Sequence, residues 1–296
     1  SRVCVDTSPV DIEGVRAFYL KNLSNSLAYS LQAFLPGRLP AGAAEQIRRA
    51  DVVHLHGHRH LLNHLAHAHV ERWRIPFVFS GHGTTPRIES KLFVKRIYDA
   101  CMGDRLLQGA TAYLAVSDAE RQQYLAAGLK EEKVRVIRNG VNIEEFRDLP
   151  PRGEFREQFG IIPSVPVVLF LGKITPRKGV DYLIRAFARL ERKDAILVIA
   201  GNVIGKGAAA LKMLAVELGV ENRVIFTGLL TDRARLAAYH DAYVTVYAST
   251  QEVFGLVPFE SLMCGTPVIV GDDSGACEIL SRAGTGEVVE YGNAIE

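Results

Sequence analysis

The stretch Ser249-Thr-Gln-Glu-Val-Phe-Gly-Leu-Val-Pro-Phe-Glu-Ser-Leu-Met-Cys-Gly-Thr-Pro-Val-Ile269 decides how this chain is read. An apolar run, Ala242 to Ala248, precedes it and reads as a buried strand. Gly255 lets the backbone approach a ligand closely. Pro258 suits the first turn of a helix, where its missing N–H costs nothing. Helical residues run to Cys264, Gly265 stops them, and Pro267-Val-Ile-Val opens another strand. The helix therefore starts at the carboxyl end of a strand, and the free amides of Gly255, Leu256 and Val257 there suit a phosphate.

Glu252 and Glu260 bracket that start with seven residues between them. Glu252 falls in the loop and Glu260 about one turn into the helix, so both can face one crevice. Two carboxylates beside an anion site suit the hydroxyls of a sugar or a ribose, although Glu260 also favours the helix dipole in its own right. The spacing alone is common. Together with the insert Phe254-Gly-Leu-Val-Pro258 and the tail Cys264-Gly-Thr-Pro-Val-Ile269, it closely resembles the hallmark of the retaining GT-B glycosyltransferases of family GT4.

The second half of the chain alternates regularly around this motif. Strands are expected at 167–171, 196–200, 224–227, 242–248, 268–270 and 288–290. Helices are expected near 179–191, 207–218, 231–240, 256–264 and 275–282. Units of this length mean a parallel sheet with helices on both faces. The first turn of the series is Gly172-Lys-Ile-Thr-Pro-Arg-Lys-Gly179, which places Lys173 and Lys178 at a strand's carboxyl end, where a diphosphate would need neutralising. The family has an Arg and a Lys-Gly at this turn. Lys178 matches, while Lys173 stands where the Arg is usual and loses bidentate geometry. The resemblance further implies that Gly201 lies near the nucleotide and that Gly228-Leu229 holds the base through backbone groups.

The first half repeats the pattern: strands at 51–57, 76–80, 111–117 and 133–137, with a helix from His60 to Trp73. A further helix is expected from Ser24 to Leu35. Another, Arg87 to Gln108, should turn Leu92, Phe93, Ile97 and Cys101 inward and leave Lys95 and Asp99 solvated. Such a basic amphipathic helix can also lie on a membrane surface. Ser117-Asp-Ala-Glu120 reads as a capping box, and Glu144 to Pro166, rich in charge and proline, as a linker with a short helix. In Ser80-Gly-His-Gly-Thr-Thr-Pro86, His82 ends a strand. In the family this position faces the donor sugar across the interdomain cleft.

Seven of the nine histidines fall between His54 and His69, and His60, His64 and His67 could share a helix face. No carboxylate or cysteine cluster completes a metal site, and the family is usually metal-independent, so no metal or other cofactor is expected. Net charge is +2 overall, with 20 basic against 16 acidic residues in 1–148. That excess is too small for nucleic-acid binding but compatible with an anionic membrane or acceptor. The four cysteines read as reduced, buried thiols, and no run is long and apolar enough to span a bilayer.

The resemblance implies two facing Rossmann-like domains, 1–150 on the acceptor side and 151–296 for the nucleotide-sugar. The family's initial strand and Gly-rich loop, and its C-terminal closing helix, find no match here. The implied activity is retaining transfer of a hexose from a nucleoside-diphosphate sugar to a glycan or lipid-linked acceptor, as in polysaccharide biosynthesis, in the cytoplasm or peripherally at the inner membrane face. The expected catalytic residues are His82, Glu252 and Lys178. The donor would be held by Gly172, Lys173, Lys178, Gly201, Phe254, Gly255, Leu256, Val257 and Glu260. Two alternatives remain open: a nucleotide-binding module without turnover, and a sugar-nucleotide epimerase or hydrolase.

Overall fold

A computed structural model describes residues 9–26, 34–88, 92–202 and 207–293. The chain divides into two compact units, residues 1–116 with 120–137, and residues 117–119 with 138–296. The expected helix at Ser24–Leu35 and Cys4 lie largely or wholly outside the described residues.

The first unit opens with an exposed hairpin, β1 (Val10–Ile12) and β2 (Val15–Ala17), followed by α1 (Ala41–Arg49). Its main sheet is β3 (Val53–His56), β4 (Phe77–Ser80), β5 (Ala112–Ala115) and β6 (Val134–Val136), parallel and in chain order. Helix α2 (Leu61–Trp73) connects the first two strands. Leu55, Phe77, Phe79 and Tyr113 from the strands meet Val70, Leu106, Leu107 and Tyr124 in one core.

Between β4 and β5 the sequence expectation is corrected. The segment is α3 (Leu92–Tyr98), a π-helical turn Asp99–Gly103, and α4 (Asp104–Gly109). The wider π turn rotates the helix face. Leu92, Phe93, Val94 and Ile97 are exposed, and Asp99 goes inward at 2% exposure. Cys101 is exposed too, unlike the buried thiol expected, whereas Cys264 is buried and burial pushes its thiol up to about 11.

Asp99 is tolerated inside because it is fully engaged. His58 Nε2 lies 3.0 Å from its Oδ1, Arg59 contacts both oxygens at 2.9 and 2.7 Å, and Arg87 Nε donates to Oδ2 at 2.7 Å. Burial opposes the Asp99 charge, but the hydrogen bonds from Arg59 and Arg87 outweigh it and hold the carboxyl below its usual range.

Glu120 of the expected capping box has partners outside its own helix. Helix α5 (Asp118–Ala126) carries Glu120 fully buried; its Oε2 accepts from Val116 N (2.8 Å) and its Oε1 from Gly83 N (2.7 Å). Tyr124, one turn on, takes Gly81 N at 2.6 Å. Glu120 and Tyr124 thus clamp the loop after β4.

By its contacts the second unit takes in residues 138–296 together with 117–119. The segment read as a linker is part of its core. A 3-10 turn (Ile143–Phe146) and α6 (Glu154–Phe159) bury Phe146, Phe155 and Ile161 against Val167 and Leu169. Asp241 fixes α6 in place, accepting from the amides of Gly153 (2.6 Å), Phe155 (3.0 Å) and Arg156 (3.2 Å). This is an N-cap supplied from 85 or more residues away in sequence.

Its strands are β7 (Val167–Leu171), β8 (Ile196–Ala200), β9 (Val224–Gly228), β10 (Val244–Tyr247), β11 (Val268–Gly271) and β12 (Glu287–Val289). The crossover helices are α7 (Val180–Arg189), α8 (Gly207–Glu217), α9 (Asp232–Asp241), α10 (Val257–Met263) and α11 (Gly275–Ala283). All six strands are parallel, in the order β12-β11-β10-β7-β8-β9. Alternate strand residues feed two cores: Val167, Leu169 and Val198 on one face, and Phe170, Leu197 and Ile199 on the other. Helix α7 buries Val180, Leu183, Ile184 and Phe187, the i, i+3, i+4, i+7 stripe of an amphipathic helix.

One consequence concerns acid. Burial, with the Arg59 charge adding to it, lowers His58 from 6.5 to about 4 despite Asp99 beside it. The unfolded chain then binds this proton more readily than the folded one. Stability is full above pH 6.5 and declines as pH falls towards 4, by about 3 kcal/mol for a shift of this size. In urea unfolding at pH 7 and pH 4.5, His58→Gln should show a smaller acid loss than the parent chain. Equal losses in the two proteins would remove His58 as the cause.

Candidate functional site

The second sheet reverses direction once. From β7 the chain winds through β8 to β9 at one edge, then returns to β10 on the other side of β7. Open parallel sheets bind ligands outside the carboxyl ends of the strands at such a switch point. Here those ends carry the turn Gly172–Gly179 after β7 and the loop Ser249–Leu256 after β10.

Backbone approach builds the first turn. A Cβ on Gly201, which follows β8, would lie 1.8 Å from the Gly172 carbonyl oxygen. Gly172 N donates to Ala200 O (3.0 Å), and Gly201 N donates to Gly228 O (2.7 Å). The turns after β7, β8 and β9 therefore lie against one another, and the Gly228 carbonyl is already engaged in that lacing. The 3-10 turn Pro176–Lys178 closes on Gly179 (φ 64°), where a Cβ would meet Ala248 O at 2.2 Å. That contact brings the β7 turn up to the end of β10.

It also sets Lys178 against the other loop. Lys178 Nζ is 2.6 Å from Glu252 Oε2 and 3.1 Å from the Tyr247 hydroxyl, and sits 4.9 Å from the Tyr247 ring centroid. Burial opposes the ammonium charge, but Tyr247 and Glu252 outweigh it, so Lys178 is raised and stays cationic. Burial, with the Glu252 charge adding to it, raises Tyr247 as well, which keeps it a neutral hydroxyl. Lys173 stands exposed on the same turn.

Glu252 is placed by its backbone. It pairs with Ser274 as an isolated parallel bridge, and its carbonyl accepts from Gly275 N at 2.7 Å. Just before it, Gln251 is in the left-handed region (φ 52°), and its amide donates to Asp273 Oδ2 at 3.1 Å. Thr250 donates its hydroxyl to the same carboxylate oxygen. Gly255 (φ 86°) passes so close to Tyr247 that a Cβ would lie 2.7 Å from its hydroxyl. The Phe254 ring is in the core at 4% exposure, 5.4 Å from the Phe259 ring. Leu256 is exposed and Val257 packs on the core.

Glu260 has separate partners. Arg235 Nη1 lies 2.6 Å from its Oε2, and the Tyr239 hydroxyl donates to the same oxygen at 2.9 Å. The two glutamates are thus each matched to a different cation, Glu252 to Lys178 and Glu260 to Arg235. Arg235, Tyr239, Tyr247 and Asp273 went unnoticed in sequence. Tyr247 is the last residue of a strand that ends in the motif, and Arg235 and Tyr239 have helical i, i+4 spacing, yet neither signal names a partner.

His82 belongs to the first unit, where it is exposed with a left-handed backbone (φ 49°). It stacks on His56 at 5.2 Å, with His56 Nδ1 2.9 Å from His82 Nε2, and His54 lies beside His56. Burial and the neighbouring His82 lower His56. His60 is exposed, His64 bonds the Tyr98 hydroxyl, and His67 is buried against Phe77. Among the described residues no group of three or more His, Cys, Asp or Glu is arranged to hold a metal. None of the described helices is long and apolar enough to cross a membrane.

Two α/β units, each with a parallel sheet, are the architecture of the GT-B fold, and comparison of folds agrees. Anabaena HepE, solved in complex with UDP, superposes with a TM-score of 0.73 at 23% identity, over 86% of this chain and 69% of that one. Sucrose-phosphate synthase from Thermosynechococcus elongatus gives 0.70 at 22% identity, over 98% and 74%. The family follows from sequence. Residues 151–296 match the model of glycosyl transferases group 1, and residues 3–145 match that of glycosyltransferase family 4. A D-inositol 3-phosphate glycosyltransferase of Catenulispora acidiphila is 30% identical over 96% of this chain and 70% of its own length. The chain belongs to this family. An uncharacterized glycosyltransferase of Methanocaldococcus jannaschii is 32% identical over 80% of this chain. This chain spans about three fifths of that protein's length, 61%.

The laced turns make one residue decisive. Gly201→Ala would drive a methyl group into the Gly172 carbonyl and should cost more than about 2 kcal/mol in urea unfolding. A loss under about 0.5 kcal/mol would show that the turns are free to separate.

Proposed function

We propose that the switch point of the second unit is the donor site of a retaining hexosyltransferase that uses a UDP-sugar and delivers the sugar to a hydroxyl of a glycan or lipid-linked acceptor. The observation that carries this reading is the Lys178–Glu252 pair, 2.6 Å apart at the β7/β10 reversal. It puts a cation for a diphosphate and a carboxylate for sugar hydroxyls side by side. As the glycosidic bond breaks, negative charge grows on the leaving diphosphate, and Lys178, with Lys173 nearby in sequence, stabilises it. Glu252 holds hydroxyls of the donor sugar, and Glu260 those of the ribose. UDP is chosen as the nucleotide because HepE is solved with UDP and with UDP-glucose. In this reading counter-charge comes from lysine side chains, and turnover persists in EDTA.

The test is titration of the full-length protein with UDP, GDP and ADP, followed by assay of sugar release and transfer from UDP-glucose. Lys178→Ala should weaken UDP by about 1.5 to 3 kcal/mol, the range for a charged hydrogen bond, and leave uridine unchanged. Glu252→Gln should spare UDP affinity and cut transfer by more than about tenfold. Binding with neither release nor transfer would make the protein a nucleotide-binding module. An altered sugar still on its nucleotide would make it an epimerase.

A lipid-linked acceptor brings the protein to a membrane, and α3 has the surface for it. Leu92, Phe93, Val94 and Ile97 are exposed, Phe93 at 74%, and the helix carries Lys95 and Arg96 with no acid. Burying such a face in a headgroup layer combines apolar area with attraction to anionic lipid. The protein should sediment with vesicles containing phosphatidylglycerol, and Phe93→Asp should reduce the bound fraction several-fold. Binding that is indifferent to this change would take α3 out of any membrane contact.

A further inference from the structure

The geometry points to Arg235 as a positioning residue that fixes one oxygen of Glu260 so that the other is presented to the two ribose hydroxyls. This rests on the assignment of Glu260 to ribose and names what makes that carboxylate selective.

Arg235 and Tyr239 lie one helical turn apart on α9 and point at the same acceptor. Both of their contacts are to Oε2, the guanidinium at 2.6 Å and the hydroxyl at 2.9 Å, which leaves Oε1 unengaged among the described residues. The Tyr239 side chain is fully buried, so its hydroxyl is a fixed donor. Arg235 is anchored at its far side as well, where Nη2 lies 2.9 Å from Glu145 Oε2. The planar guanidinium therefore spans two carboxylates and has little freedom to turn. Burial opposes its charge, and Glu260 and Glu145 together outweigh that and keep it cationic.

The consequence is preorganisation. A glutamate on a helix surface samples several rotamers, and a ligand that needs one of them must bear the cost of selecting it. With Oε2 tied down, Oε1 has one orientation and its lone pairs are free for a vicinal diol. The pair is also positioned for this and not for phosphate. Both terminal nitrogens of Arg235 already hold carboxylates, so a diphosphate would have to displace two of them. Side-chain exposures of 19% for Arg235 and 18% for Glu260 leave the carboxylate reachable while excluding most competing water.

The experiment is calorimetric titration of the full-length protein with UDP and with 2′,3′-dideoxyuridine diphosphate. The parent protein should prefer UDP. Arg235→Ala should weaken UDP by about tenfold, the typical size of a coupled charged contact, and leave the dideoxy nucleotide within about twofold. Arg235→Lys should recover part of the preference. Tyr239→Phe, which removes only a hydroxyl, should cost UDP about threefold and the dideoxy nucleotide nothing. Adding Arg235→Ala to Glu260→Gln should change nothing further, because the two act as one unit. If Glu260→Gln abolishes the ribose preference while Arg235→Ala and Tyr239→Phe retain it, Arg235 is merely structural and the inference falls. Should Arg235→Ala fail to fold, Tyr239→Phe and Arg235→Lys decide by the same criterion. If Glu260→Gln itself keeps the preference, the ribose assignment fails instead.

Discussion

Backbone touching backbone at the carboxyl ends of β7, β8 and β10 is the constraint on which the site depends. Gly201 lies against the Gly172 carbonyl and Gly179 against that of Ala248. Neither approach leaves room for a side chain. The first sets the spacing of adjacent turns. The second carries Lys178 across the sheet reversal to the end of β10. The ion pair with Glu252 is thus a product of strand order and glycine placement, and the side chains themselves need only the reach that two packed turns provide.

That pair has a double character. Lys178 is satisfied by Glu252 and Tyr247, so this half-buried cation carries no unpaired charge. In the proposed function a diphosphate would offer the lysine stronger acceptors and free Glu252 for sugar hydroxyls. Exchange of one set of partners for another keeps the net desolvation cost of binding small, since the lysine has left bulk water already.

The fold was largely legible in the sequence because its signals are local. Apolar runs of five, glycine after the strand and an apolar stripe at helical spacing placed β7 to β12 within a residue or two. What escaped was nonlocal. The segment 144–166 looks like a linker by composition, yet Phe146 and Phe155 are core residues and Asp241 supplies the cap of α6. Asp99 looked like a solvated position until a π turn changed the helix phase and three basic side chains surrounded it. The site shows the same division. Glu252, Glu260 and Lys178 were singled out by motif spacing, whereas Arg235 and Tyr239 sit on another helix and meet Glu260 only once the chain has folded. Phe254 belongs to the motif and to the core at once, a burial that the motif spacing does not reveal.

The cap that Asp241 provides has a practical bearing on recombination among relatives. A splice at 151, where the composition changes, would join α6 of one parent to a Phe146 and Val141 chosen by another, although these pack in a single core. The structural seam falls after Ile137, with residues 117–119 travelling with the second unit. Chimeras cut at that seam would keep Asp241, α6 and the 3-10 turn before it from one lineage, and with them the foundation on which β7 and its lysine turn are laid.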